Sequence, residues 1–124
     1  MKTNLAHIQE IGETNFIAEV TESARPVLVA FLAPWSRPCQ VIRPVLDEIT
    51  VACSGDLKVV KVNADDNPDL GLCYGIQSIP TLLCFVDGNE RGRIVGTASK
   101  KAILAKLKPF VAAASNVTRS PTSR

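Results

Sequence analysis

The stretch Val27-Leu28-Val29-Ala30-Phe31-Leu32-Ala33-Pro34-Trp35-Ser36-Arg37-Pro38-Cys39 decides how the rest of the chain is read. The apolar run Val27 to Ala33 lacks the alternation of a strand with one wet face, so it reads as a central parallel strand covered on both sides. Past Trp35, the residues Ile42, Val45, Leu46, Ile49, Ala52 and Cys53 recur at helical spacing until Ser54-Gly55 ends the pattern. Ser36 fits the N-cap of that helix, its hydroxyl placed to accept from the backbone N–H of Cys39. Pro44 falls inside the helix, where it removes a donor and crowds the carbonyl of Gln40, so a kink is expected.

Working outward, Ala6 to Gln9 reads as a short strand. Glu13 to Glu22 reads as a helix with Phe16, Ile17 and Val20 on one face. Leu57 to Val62 reads as a strand, and the turn Asn63 to Pro68 opens a short helix through Cys73. Thr81 to Val86 is a further strand. Asp87-Gly88-Asn89-Glu90 is a hairpin turn, which makes Arg91 to Val95 antiparallel to it. Ser99 caps a last helix carrying Ile103, Leu107, Phe110 and Val111. The order is β-α-β-α-β-α-β-β-α: an α/β chain with a central mixed sheet of about five strands flanked by four helices.

A chain of 124 residues with 46% hydrophobic content fits one domain, expected over residues 1–112. The polar, aperiodic end, residues 113–124, reads as a disordered tail, and Asn116-Val117-Thr118 within it as a chance glycosylation pattern. A net charge of +2 and 5% aromatic residues give a nucleic-acid backbone little to hold. The cysteines Cys39, Cys53, Cys73 and Cys84 form no Cys-x-x-Cys pair and have only His7 as a histidine companion, so no metal site is expected. No apolar run has the length of a membrane span, and Met1-Lys2-Thr3-Asn4 leads into polar sequence, which makes the cytoplasm the expected compartment.

The chain resembles the thioredoxin family, whose signature is a strand, then Trp-Cys-x-Pro-Cys, then a helix. The resemblance continues through Pro44 to Ile49, Val62-Asn63-Ala64-Asp65, Tyr74 to Thr81 and Val95-Gly96, and covers roughly residues 5 to 112. It implies the thioredoxin fold and thiol–disulfide exchange, with Ser36 at the position of the attacking cysteine and Cys39 as the remaining thiol. In such chemistry an exposed thiolate at a helix start attacks a substrate disulfide, and a second cysteine resolves the mixed disulfide. A serine hydroxyl cannot form the stable bridge, so little dithiol turnover is expected.

By the same resemblance, Ile79-Pro80 is a cis bond facing the motif, and the backbone of Ile79 pairs with an extended substrate. Trp35 forms one wall of a groove beside Arg37 and Pro38, with Gly96 and Thr97 opposite; the other reading of Trp35 is a core residue. Arg37 adds a positive charge able to attract an acidic partner or the carboxylates of glutathione. Thioredoxins usually carry a buried acid where Ala30 stands here, with a lysine partner at Lys61. Lys61 then either reaches solvent or steadies a Cys39 thiolate. Cys39 itself is either an inert thiol under Trp35 and Pro80 or an accessible single thiol. Cys53 and Cys84 read as small core residues, and Cys73 as the extra cysteine that could be exposed.

Three functions fit these residues. One is a protein-disulfide reductase blocked at Ser36, acting on disulfide-containing proteins and served by a flavin-dependent thioredoxin reductase, as the resemblance implies. Another is a redox-silent module that binds peptides in the Trp35/Pro80 groove. The third is a monothiol protein working through a glutathione adduct on Cys39. No cofactor is implied, and a monomer is expected, with a cysteine-linked dimer as the alternative.

Overall fold

Six consecutive buried residues form the middle of the molecule: β2, Val27–Leu32, in the computed structural model, which describes residues 8–112 and 114. Parallel β3 (Lys58–Asn63) lies on one side of β2 and antiparallel β4 (Thr81–Val86) on the other. β1 (Gln9–Ile11) pairs parallel with β3, and β5 (Asn89–Val95) antiparallel with β4, giving the order β1-β3-β2-β4-β5. The expected mixed five-stranded sheet is therefore found. Its first strand begins at Gln9, and residues 1–7 lie outside the described part of the chain.

Strand alternation divides β2 between two cores. Leu28, Ala30 and Leu32 join Cys39, Ile42, Leu46 and Ile49 of α1 (Arg37–Ala52) and Ile103, Leu104 and Leu107 of α3 (Lys100–Leu107). Val27, Val29 and Phe31 join Val60 and Val62 of β3, Leu83 and Phe85 of β4, and Phe16 and Val20 on the opposite face. A strand with both faces covered has no polar side to show, which is why the run carries no alternation. α1 continues through Pro44, and Ser36 caps it as expected, its Oγ accepting from Cys39 N–H at 3.3 Å.

The first helix differs from expectation. Instead of an α-helix over Glu13 to Glu22 there is a π-helical turn, Ile17–Thr21, closed by Glu22 N–H donating to Ile17 C=O at 2.9 Å. Phe16 and Val20 are buried, whereas Ile17, one residue past Phe16, turns outward and is 64% exposed. Among the described residues, three α-helices and this π-helical turn make up the four helical elements that flank the sheet. α2 (Pro68–Cys73) follows β3, and Phe16, Tyr74 and Phe85 pack in tilted and edge-to-face contacts at centroid distances of 5.3 to 5.7 Å that hold its end to the sheet.

The β4–β5 hairpin forms where expected, with Asp87 at φ 52° and Gly88 at φ 81° as its two turn residues, the conformation of a type I′ turn. α3 follows the Ser99 cap, which accepts from Ala102 N–H at 3.1 Å. Within the segment expected to be a tail, Ala114 is buried against the α1–α3 core, and residues 113 and 115–124 lie outside the described part of the chain.

Asn67 ties the start of the chain to α2. Its Oδ1 accepts from Glu13 N–H and its Nδ2 donates to Asn63 C=O, each at 2.9 Å. A Cβ on Gly12 would stand 2.5 Å from that Oδ1. Gly12→Ala must displace a buried, doubly bonded amide, and we expect it to lower stability by about 1 to 3 kcal/mol, read from urea unfolding.

Cys84, on β4, is 3% exposed, and burial pushes its thiol up to about 11, with Arg91 pulling weakly the other way. The folded state thus favours the neutral thiol. That preference is intact below the unfolded thiol value of about 8.5 and is lost as pH rises through about 11. Stability should fall across this window by up to about 3 kcal/mol, and Cys84→Ala should flatten that part of the fall.

Candidate functional site

The site grows from the point where β2 ends and α1 begins. After the buried strand the chain surfaces at Pro34 and Trp35, then turns back inward at Ser36, which is 4% exposed. Trp35 is 69% exposed, so it is a surface residue and not a core tryptophan. Its Nε1–H donates to Asp65 Oδ2 at 2.6 Å, which fixes the indole across the turn after β3. Asp65 is itself held, its N–H donating to Asn63 Oδ1 at 2.9 Å.

Trp35 walls a groove of about 520 Å³ whose far side is Ala64, Pro68, Gly71 and Leu72, and whose floor is the loop Ile76 to Ile79. The Ile79-Pro80 bond is cis. Pro80 C=O accepts from Gly96 N–H at 2.8 Å, which fastens β5 to the loop. Among the described residues, no hydrogen bond uses the backbone N–H or C=O of Ile79. Gly96 and Thr97, expected opposite Trp35, do not line this groove; α2 takes that place. Arg37 and Pro38 are exposed at the start of α1 and do not line it either.

Arg93 of β5 steadies the approach to the loop. Its guanidinium donates to Tyr74 C=O at 2.7 Å and to Gly75 C=O at 3.4 Å while pairing with both carboxylate oxygens of Glu90. Leu72, 81% exposed beside Trp35, leaves an apolar shoulder in water. Sequence reading placed the short helix ending at Cys73 near the groove but assigned no site role to Asp65, Arg93 or the α2 residues Pro68, Gly71 and Leu72. The only available signal was the Val62 to Asp65 segment, which carries no mark of its contact with Trp35.

Cys39 has no exposed surface and packs in the core that also holds Ala30. Of its two readings, the structure supports the covered thiol. Cys53 and Cys84 are buried as well, and burial raises both thiols above their ordinary value. Cys73, at the end of α2, is the exposed cysteine among the four. Lys61 is half-buried and pairs in register with Ala30. It lines a separate cavity of about 220 Å³ with Glu10, Arg43 and Pro34, and Cys39 is not part of that lining. The observed position of Lys61 gives no support for a role in steadying a Cys39 thiolate.

The arrangement offers an open apolar groove beside a sealed thiol. Among the described residues, no cluster of His, Cys, Asp or Glu could hold a metal ion, and no helix is long and apolar enough to cross a membrane.

Comparison with known proteins agrees with this geometry. The family model described as Thioredoxin matches residues 7–109. Thioredoxin 1 of Synechococcus elongatus is 47% identical over 93 residues, covering 75% of this chain and 87% of that protein. Thioredoxin 1 of Nostoc sp. is 43% identical over 99 residues, covering 80% of this chain and 92% of that protein. Thioredoxin M5, chloroplastic, of rice is 40% identical over 99 residues, 80% of this chain and 58% of that protein. A mixed five-stranded sheet, a strand-to-helix turn at Trp35-Ser36 and a match across most of the sequence place this chain in the thioredoxin family of redox proteins.

Proposed function

We propose that this protein binds extended segments of partner proteins in the Trp35 groove and does not complete a dithiol–disulfide cycle. The observation that carries this reading is the pairing of an open groove with a sealed motif. Trp35 and Leu72 are exposed around about 520 Å³ of space, while Ser36 holds the attacking position and Cys39 is wholly covered. An attacking thiolate must reach its disulfide, and a hydroxyl at Ser36 cannot replace it. Peptide binding needs neither thiol. The free backbone N–H and C=O of Ile79 suit an extended segment laid along the loop.

Family membership points to disulfide-containing proteins as the class of partner and to a thioredoxin reductase as the protein that would dock here. Burial of Cys39 weighs against a glutathione adduct or a dimer bridge formed through that sulfur, whereas Cys73 is exposed. One relative is chloroplastic by name, and the binding reading holds in any compartment.

Trp35 is the single tryptophan and reports directly on the groove. A partner segment should shift its fluorescence with equal affinity in the parent protein and in Cys39→Ala. A loss of more than about tenfold in that variant, which is 1.4 kcal/mol, would show that the thiol takes part in binding and would remove this reading.

A further inference from the structure

The lining of the groove carries no charged side chain, but the segment that borders it is uneven in charge although the chain is nearly balanced. The whole sequence carries +2, yet residues 62–80, which supply the groove except for Trp35, contain Asp65, Asp66 and Asp69 and no lysine, arginine or histidine. Asp65 touches Trp35, and Asp69 lies in the first turn of α2, next to Pro68 of the groove wall. All three aspartates are exposed, and none of them makes an ion pair among the described residues. The cation closest in sequence to Trp35, Arg37, does not line the groove. Arg93, which does not line the groove and donates to Tyr74 C=O, is paired with Glu90.

We infer that the groove selects extended peptide segments in which an apolar residue is flanked by lysine or arginine. The inference rests on the peptide-binding reading above and names the class of segment. The apolar centre covers Trp35, Leu72 and Ile79, and the flanking cations face the aspartate edge formed by Asp65, Asp66 and Asp69. An acidic segment meets the same edge as repulsion, so the surface discriminates by attraction and by rejection together. Exposed pairs are individually weak, and three carboxylates acting on two cations give a preference of about fivefold or more at low salt. Because the charges are wet, that preference shrinks as salt rises.

The test uses the full chain and two short peptides with the same Val-Leu-Val centre, one flanked by lysines and one by glutamates. Binding is followed by Trp35 fluorescence and by calorimetry, with oligomeric state checked by sedimentation. The expected result is at least about fivefold tighter binding of the lysine peptide at low salt. That preference should fall below about twofold at high salt and in Asp66→Asn/Asp69→Asn, a surface pair whose replacement leaves both cores untouched. Equal affinities, or a preference for the glutamate peptide, overturn the inference while leaving groove binding intact. If neither peptide binds, the groove reading fails with it. A protein that self-associates through Trp35 and excludes both peptides also overturns it, by showing a second copy as the occupant.

Discussion

Insulin-disulfide reduction is expected to be absent from the parent protein and to appear, though slowly, in Ser36→Cys. The substitution supplies a second sulfur at the start of α1, three residues before Cys39, where Ser36 Oγ already approaches the Cys39 backbone at 3.3 Å. The unsatisfied N–H groups of the helix start favour a thiolate there, and this thiolate can attack a substrate disulfide once the turn around position 36, 4% exposed in Ser36, opens to it. Cys39, behind it, then resolves the mixed disulfide: its sulfur bonds to the new sulfur, and the substrate leaves as a thiolate. The cost is the Ser36 cap, about 0.5 to 2 kcal/mol of stability in the reduced form. The rate should stay below that of ordinary relatives, because Ala30 offers no side chain to accept the Cys39 proton. Positioned proton transfer is worth about 10²- to 10⁴-fold. Activity in the parent would disprove the block at Ser36. Complete absence of an internal disulfide in Ser36→Cys would show that more than position 36 is broken.

How far the sequence foretold this arrangement depends on how local the cause was. The β2 run, the Ser36 and Ser99 caps and the Asp87-Gly88 hairpin are each set by a few adjacent residues, and each stands where the sequence puts it. The first helix fails for a related reason. Phe16 and Val20 fit an α-helical face, but a bond from Glu22 back to Ile17 widens the turn, and apolar spacing does not register a one-residue change in bonding. The groove is harder still. Trp35 meets Asp65 across 30 positions, and Asn67 meets Glu13 across 54, so their pairing belongs to the folded chain and not to any stretch of it. Both readings of Cys39 were open because accessibility of a thiol at a strand-to-helix turn depends on what packs above it. The sheet, α1 and α3 decide that question together.

Thiol labelling should therefore run against the order that the motif suggests. An alkylating agent must reach a thiolate, and reaction rate is set by exposure and by the fraction of thiol ionised. Cys73 is exposed at the end of α2, whereas Cys39, Cys53 and Cys84 are buried. Burial also raises the Cys53 and Cys84 thiols, so these two are disfavoured on both counts. Each buried cysteine reacts only through an opened form. If opening Cys39 costs even about 4 kcal/mol, within the range between local fraying and global unfolding, its labelling is slowed by about 10³-fold relative to a free thiol. Iodoacetamide at neutral pH should thus place one adduct on Cys73 within minutes, and the other three should appear together only as urea brings on unfolding. Mass mapping of the first adduct decides it. A first adduct on Cys39 would mean that the cover over α1 opens readily in solution, which would restore the single-thiol chemistry that the sealed core argues against.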